Sequence, residues 1–198
     1  GAMYKKGYIY KGLKPVYWCP HDETALAEAE IEYQDDPCTT VYVKFPVKDD
    51  LGKLAQYGDL SKTYFLIWTT TIWTLPGNMA IAVHPRESYV LVKADNGEQY
   101  ILAEALTEKV MKAGGIEHYE IAARFTGSDF EYMKARHPFL DKDSLLCCAE
   151  YVTMDSGTGC VHTAPGFGAD DYETCKRYGI EMVVPVDDQG RHTDYAGK

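Results

Sequence analysis

The chain has 198 residues, of which 45% are apolar. That length suits one domain, or one domain with an appendage, and the apolar share excludes a disordered chain. The 20 Lys and Arg against 30 Asp and Glu give a formal charge of −10; tight RNA binding by the free chain is disfavoured, because phosphate contacts need a basic face.

The first three residues, Gly1-Ala2-Met3, read as the remnant of a removed expression tag, leaving 4–198 as a single domain taken from a longer protein. Next, Tyr8 to Tyr10 and Val16 to Trp18 are expected as short strands around the turn at Gly12-Leu13-Lys14-Pro15. Thr24 is placed to cap a short helix through Ala25 to Glu30. From Thr39 to Val47 the pattern alternates: Val41, Val43 and Phe45 face one way, Tyr42 and Lys44 the other, as in a half-buried strand. Buried strands are expected at Tyr64 to Trp68 and Ala80 to Val83. Ser88 to Lys93 and Glu98 to Leu102 flank Asp95-Asn96-Gly97, a strong hairpin signal. Ala103 to Ala113 reads as a helix closed by Gly114-Gly115. Further strands are expected at Glu117 to Ala122, Ser144 to Val152, Cys160 to Thr163 and Glu181 to Val186, with a helix from Ala169 to Tyr178 stopped by Gly179. The stretches Asp49 to Ser61 and Phe125 to Asp143 carry no clear pattern. Many strands and few helices imply a β-rich α+β domain with a distorted barrel core.

No run approaches the ~18 apolar residues of a membrane helix, and no signal-peptide pattern opens the chain. The six cysteines include no C-x-x-C pair, so reduced thiols and a cytoplasmic location are expected. Cys19-x-His21 and Cys160-x-His162 lack the paired spacing of a four-ligand zinc site. No metal or other cofactor is expected.

Two segments stand out. In Trp68-Thr69-Thr70-Thr71-Ile72-Trp73-Thr74-Leu75-Pro76-Gly77-Asn78, threonines close an apolar strand and Pro76-Gly77 breaks it. Hydroxyls and freed amides at such a strand end can hold a carbonyl, a ribose hydroxyl and a water. A plain strand is the competing account, and residue type alone favours it, because threonine is a good strand former. The second segment, Gly157 to Tyr172, reads as a turn, a strand, a Gly/Pro loop and a helix start. Asp170 and Asp171 fall in the first helical turn, where they complement the helix dipole or bind a ligand's ammonium. His162 is a satisfied core histidine, a base or a steric wall. A Thr–His–Asp nucleophilic arrangement is disfavoured, since no G-x-S-x-G elbow is present.

Together the segments resemble the editing domain of class I aminoacyl-tRNA synthetases, and most nearly its isoleucyl branch. Trp68 to Asn78 is similar to that family's threonine-rich peptide. Gly157 to Asp171 is similar to its Gly-Thr-Gly-x-Val-His-x-Ala-Pro signature with a downstream Asp. The flanks Gly12 to Trp18 and Thr24 to Glu30 extend the likeness over nearly the whole chain. Valyl and leucyl relatives carry Thr-Thr-Arg-Pro in the first segment and lack this histidine. Ile72 departs from the proline common at its position, and Phe167 stands where relatives vary. The synthetic signatures HIGH and KMSKS are absent, so no activation of isoleucine is expected.

The resemblance implies a hydrolase that removes valine from tRNA(Ile), with valyl-adenylate as a further substrate. It also implies a monomer that meets the tRNA 3′ end with the remainder of a synthetase, away from membranes. Thr69, Thr70 and Thr71 would position ester, terminal adenosine and water, with Asn78 supporting the water or the turn. Asp171 would bind the α-ammonium, His162 would exclude isoleucine, and Trp73 would shape the pocket or stack near the substrate. A non-catalytic binding module, active only within a full-length enzyme, is the alternative.

Overall fold

The computed structural model describes residues 1–197. A small antiparallel ribbon, β1 (Tyr17–Cys19) and β2 (Thr24–Leu26), stands apart from the main sheet. The other strands are β3 (Val41–Asp49), β4 (Thr63–Thr69), β5 (Ala80–Val83), β6 (Ser88–Ala94), β7 (Gln99–Ala103), β8 (Tyr119–Thr126), β9 (Lys134–Arg136), β10 (Asp143–Cys148) and β11 (Cys160–Thr163). They form one mixed sheet in the order β11-β5-β10-β9-β3-β4-β7-β6-β8. β5–β10 and β4–β7 pair in parallel and the rest antiparallel. The helices are α1 (Ala2–Lys5), α2 (Thr107–Ala113) and α3 (Ala169–Arg177).

The sheet rolls. Ala103 at the end of β7 donates its amide to the Thr158 carbonyl, 2.8 Å away, in the turn before the edge strand β11. This is the distorted barrel expected from the sequence. Its interior holds Phe45, Phe65, Ile67, Tyr89, Leu91, Ile101, Phe130 and Met133, all fully buried. Phe130 meets Phe65 and Tyr89 edge-on at 5.4 and 5.7 Å. Each such side chain contributes up to about 1.5–3 kcal/mol through removal from water. β3 shows the predicted alternation: Tyr42 and Lys44 are exposed, while Phe45 and Val47 are buried.

Several expectations fail for physical reasons. Tyr8 to Tyr10 is not a strand and lies exposed, with no strand partner among the described residues. Thr24 to Glu30 is not a helix. Thr24–Leu26 pairs with Tyr17–Cys19, and a single 3-10 turn follows at Glu28–Glu30. So short a helix does not offset its nucleation cost without a buried face, and this segment has none. Ala103 stays in β7, and α2 begins at Thr107 after a 3-10 turn. β10 stops at Cys148 rather than Val152. Among the described residues, Glu181 to Val186 makes only one bridge, Val186 to His192, and Pro185 within it has no amide to donate. The stretch without pattern, 125–143, contains β9. The loop from Asp49 is organised by the buried Asp50 carboxylate, which accepts the amides of Gly52, Leu54 and Ala55.

Candidate active site

β4 ends at Thr69, and the chain enters a 3-10 helix over Ile72–Gly77 whose Thr74, Leu75, Pro76 and Gly77 are buried. Side chains from elsewhere reach carbonyls of this turn, and Leu75 O accepts the Asn78 amide as well, at 2.9 Å. His137 Nε2 reaches Leu75 O at 2.9 Å, Lys142 Nζ donates to Pro76 O at 2.6 Å, and His192 Nε2 lies 2.9 Å from Trp73 O. Burial lowers the pKa of His137 to about 4 and of Lys142 to about 8.

Beside this helix lies a cleft of about 250 Å³. One wall comes from Trp68, Thr69, Thr70, Thr71 and Thr74, and the other from β11 and the loop leading to α3. Thr69 Oγ1 accepts the Thr71 amide at 3.1 Å and lies 3.3 Å from Thr71 Oγ1. Thr74 Oγ1 donates to Thr71 O at 2.8 Å. Period three in a 3-10 helix puts Thr71 and Thr74 on one face. The walls approach closely at Gly157, where a Cβ would sit 3.3 Å from Trp68 and φ is +76°.

Opposite the threonines, His162 on β11 is only 9% exposed. Its Nε2 is 3.0 Å from Thr74 Oγ1 and its Nδ1 2.8 Å from Asn78 Nδ2. Burial, helped by His137 and Lys142, lowers its pKa to about 4, so the ring is neutral at ordinary pH. Asp171, in the first turn of α3, accepts the Ala164 amide through Oδ2 at 2.7 Å. Among the described residues it forms no ion pair. Burial raises its pKa, Asp170 adds to the rise, and the Ala164 amide offsets part of it. A carboxylate desolvated without a cation gains strongly from an incoming ammonium.

The structure thus brings Thr69, Thr70, Thr71, His162 and Asp171 to one cleft. It does not bring Asn78 or Trp73 to its surface. Asn78 is fully buried behind His162. Trp73 is 50% exposed outside the cleft and packs edge-on against Phe167 at 5.0 Å. Thr74, Val161, Ala164 and Phe167 line the cleft although the sequence alone assigned them no role. The spacing of Thr71 and Thr74 was the available signal for the first of these. Among the described residues, no three His, Cys, Asp or Glu side chains are grouped to hold a metal ion.

Residues 1–167 match the family of tRNA synthetases class I (I, L, M and V). The chain belongs to this family. Within the class I tRNA synthetases it is 58% identical to an isoleucine–tRNA ligase of Caldicellulosiruptor saccharolyticus, with 100% of this chain and 22% of that protein covered. It is 55% identical to one of Bacillus cereus, over 99% of this chain and 21% of that protein. The chain therefore spans about a fifth of the length of these relatives. Its fold is shared with GlLeuRS-CP1, at TM-score 0.61 and 20% identity over 75% of this chain and 70% of that one. A P. knowlesi cytosolic leucyl-tRNA synthetase editing domain also matches, at TM-score 0.59 and 16% identity over 72% and 65%.

Proposed function

We propose that the cleft is the editing site of an isoleucyl-tRNA synthetase and hydrolyses the ester of mischarged Val-tRNA(Ile), with valyl-adenylate as a further substrate. The observation that carries this reading is the placement of an unpaired, desolvated Asp171 carboxylate across a small cleft from a row of threonine hydroxyls. The carboxylate suits an α-ammonium. The hydroxyl and amide edge of Thr69, Thr70 and Thr71 suits an ester, the terminal adenosine and a water. That water attacks the carbonyl, the ester C–O bond breaks, and the ribose oxygen leaves with a proton. Rate comes from orientation, assisted by a neighbouring ribose hydroxyl, with no covalent enzyme intermediate.

His162 and Thr74 form the wall against the amino-acid side chain. Such a wall is needed because a hydrophobic pocket gains only about 1–3 kcal/mol from one methylene, a limit for which isoleucine against valine is itself the standard worked case. Asn78 acts from behind the wall, through His162. Trp73, exposed beside Phe167, offers a ring face near the cleft mouth to the terminal adenosine. The tRNA body is held by the remainder of a cytoplasmic, monomeric synthetase, consistent with the −10 charge of this chain.

The test is deacylation of Val-tRNA(Ile) and Ile-tRNA(Ile) by this chain. Release of valine with isoleucine spared is expected; equal rates would sink the assignment. The acidic charge favours one other reading, a binding module that is active only inside the larger enzyme. Binding of a valyl-adenosine analogue with no turnover by this chain would select it.

A further inference from the structure

Thr74, His162 and Asn78 lie in line and have the composition of a nucleophile, base and orienting residue. In a working triad the orienting group accepts a hydrogen bond from Nδ1–H, which leaves Nε2 bare to take the nucleophile's proton. Here the line runs the other way. Asn78 Nδ2 lies 2.8 Å from the Ala80 carbonyl, which only accepts, so the amide nitrogen must face it. Asn78 Oδ1 then accepts the hydroxyl of Ser144. The second hydrogen on Nδ2 points at His162 Nδ1, 2.8 Å away, which must therefore be bare. The proton of the neutral ring sits on Nε2 and is donated to Thr74 Oγ1 at 3.0 Å. Thr74 Oγ1 donates its own hydrogen bond to Thr71 O. Every donor in the chain has one acceptor, and no lone pair of His162 is left for the cleft.

We propose that Ser144 is a positioning residue of this site: together with the Ala80 carbonyl it fixes Asn78 and so holds His162 in the Nε2-protonated form, as a fixed wall that does not serve as a base. Ser144 and Asn78 are both fully buried, and Ser144 is carried on β10 opposite Ala135 of β9, so the hydroxyl has a rigid mount out of reach of bulk solvent. Its consequence for selectivity rests on the editing reading above; the ring's protonation does not.

The experiment is nitrogen-resolved NMR of the His162 ring in this chain, with Ser144→Ala and Ser144→Thr beside it. The unsubstituted chain is expected to show a protonated Nε2 and a bare Nδ1. Ser144→Ala leaves Asn78 Oδ1 buried without a donor, and both ring nitrogens should move toward averaged shifts. The preference for a non-hydrolysable valyl-adenosine over its isoleucyl counterpart should fall by about tenfold. Ser144→Thr keeps the hydroxyl and should restore both readouts, which loss of packing alone would not. A protonated Nδ1 in the unsubstituted chain overturns the wiring. A ring spectrum unchanged in Ser144→Ala overturns the part given to Ser144. If neither analogue binds, the editing reading is lost, and the ring spectrum still decides the wiring.

Discussion

At the scale of the residue, two side chains separate charge from shape. Asp171 is desolvated without a cation, and its Oδ2 is held by the Ala164 amide. Asp171→Asn removes the charge while keeping an oxygen to accept that amide. A charge-assisted contact contributes about 1.5–3 kcal/mol, so the dissociation constant for valyl-adenosine should rise by about 10- to 100-fold; an unchanged constant would show that Asp171 does not hold the ammonium. At Asn78 the opposite substitution, one that adds charge, is informative. Asn78→Asp supplies an acceptor where the amide donated, so the ring should carry its proton on Nδ1 and His162 should titrate above its present value of about 4. An NMR titration reads this directly, and a ring that still has a bare Nδ1 would contradict it. The cleft residues Thr69 to Thr71, His162 and Asp171 were legible because each lies in a compact local motif. Asn78 was expected at the cleft and lies buried behind it, since no local pattern marks it as facing inward. Ser144 carried no local signal: its partner is 66 positions away, and only the rolled sheet brings them together.

At the scale of the element, the closure of the sheet depends on a tight turn. Gly157 and Gly159 both have φ of +76°, which costs an L side chain roughly 1–2 kcal/mol. They differ in room. A Cβ at 157 would meet Trp68 at 3.3 Å, but one at 159 would overlap Ala103 Cβ at 2.4 Å, beside the Thr158–Ala103 bond that joins the turn to β7. Gly159→Ala should therefore destabilise the chain by about 1–3 kcal/mol more than Gly157→Ala. Urea unfolding of the two variants measures the difference, and equal midpoints would mean that the turn gives way without loss. β3, the β6–β7 hairpin and α3 were readable from their period and turn signals, and the four-residue β5 and β11 were expected with the bounds they have. β2 and β9, three residues each, were not. The choice between helix and strand at Thr24 to Glu30 turned on whether a neighbouring strand was available to pair. β9, three residues long, exists because β3 and β10 flank it.

At the scale of the molecule, the folded state keeps two histidines neutral in places that also shape the site. His137 braces the 3-10 helix through Leu75 O, and its Nδ1 faces the amides of Phe139 and Leu140. His162 forms the cleft wall. Burial lowers both to about 4 from the ordinary 6.5. In the unfolded chain both bind protons from about pH 6.5 downward, while the folded chain does not until about pH 4. The stability they confer is therefore complete above pH 6.5 and drains away as pH falls toward 4. At about 1.4 kcal/mol per pH unit for each group, the two together remove several kcal/mol, a large part of the 5–15 kcal/mol typical of a domain. Asp50 acts in the same direction but later. Burial alone would raise its carboxyl, yet the amides of Leu54, Ala55 and Gly52 bring it below 3.8, so its contribution is lost only at still lower pH. Acid should thus loosen the site-bearing half of the sheet before the Asp50 loop. Urea titrations from pH 7.5 to 4.5 should show stability falling with a slope of at most twice 1.4 kcal/mol per pH unit near pH 5, because Asp171, whose raised carboxyl takes up its proton earlier in the folded chain, opposes the two rings. Amide exchange should rise first around Thr71 to Asn78 and His162. A stability flat between pH 7 and 5 would mean that these rings take up protons as readily folded as unfolded, and that neither is locked in the way its hydrogen bonds require.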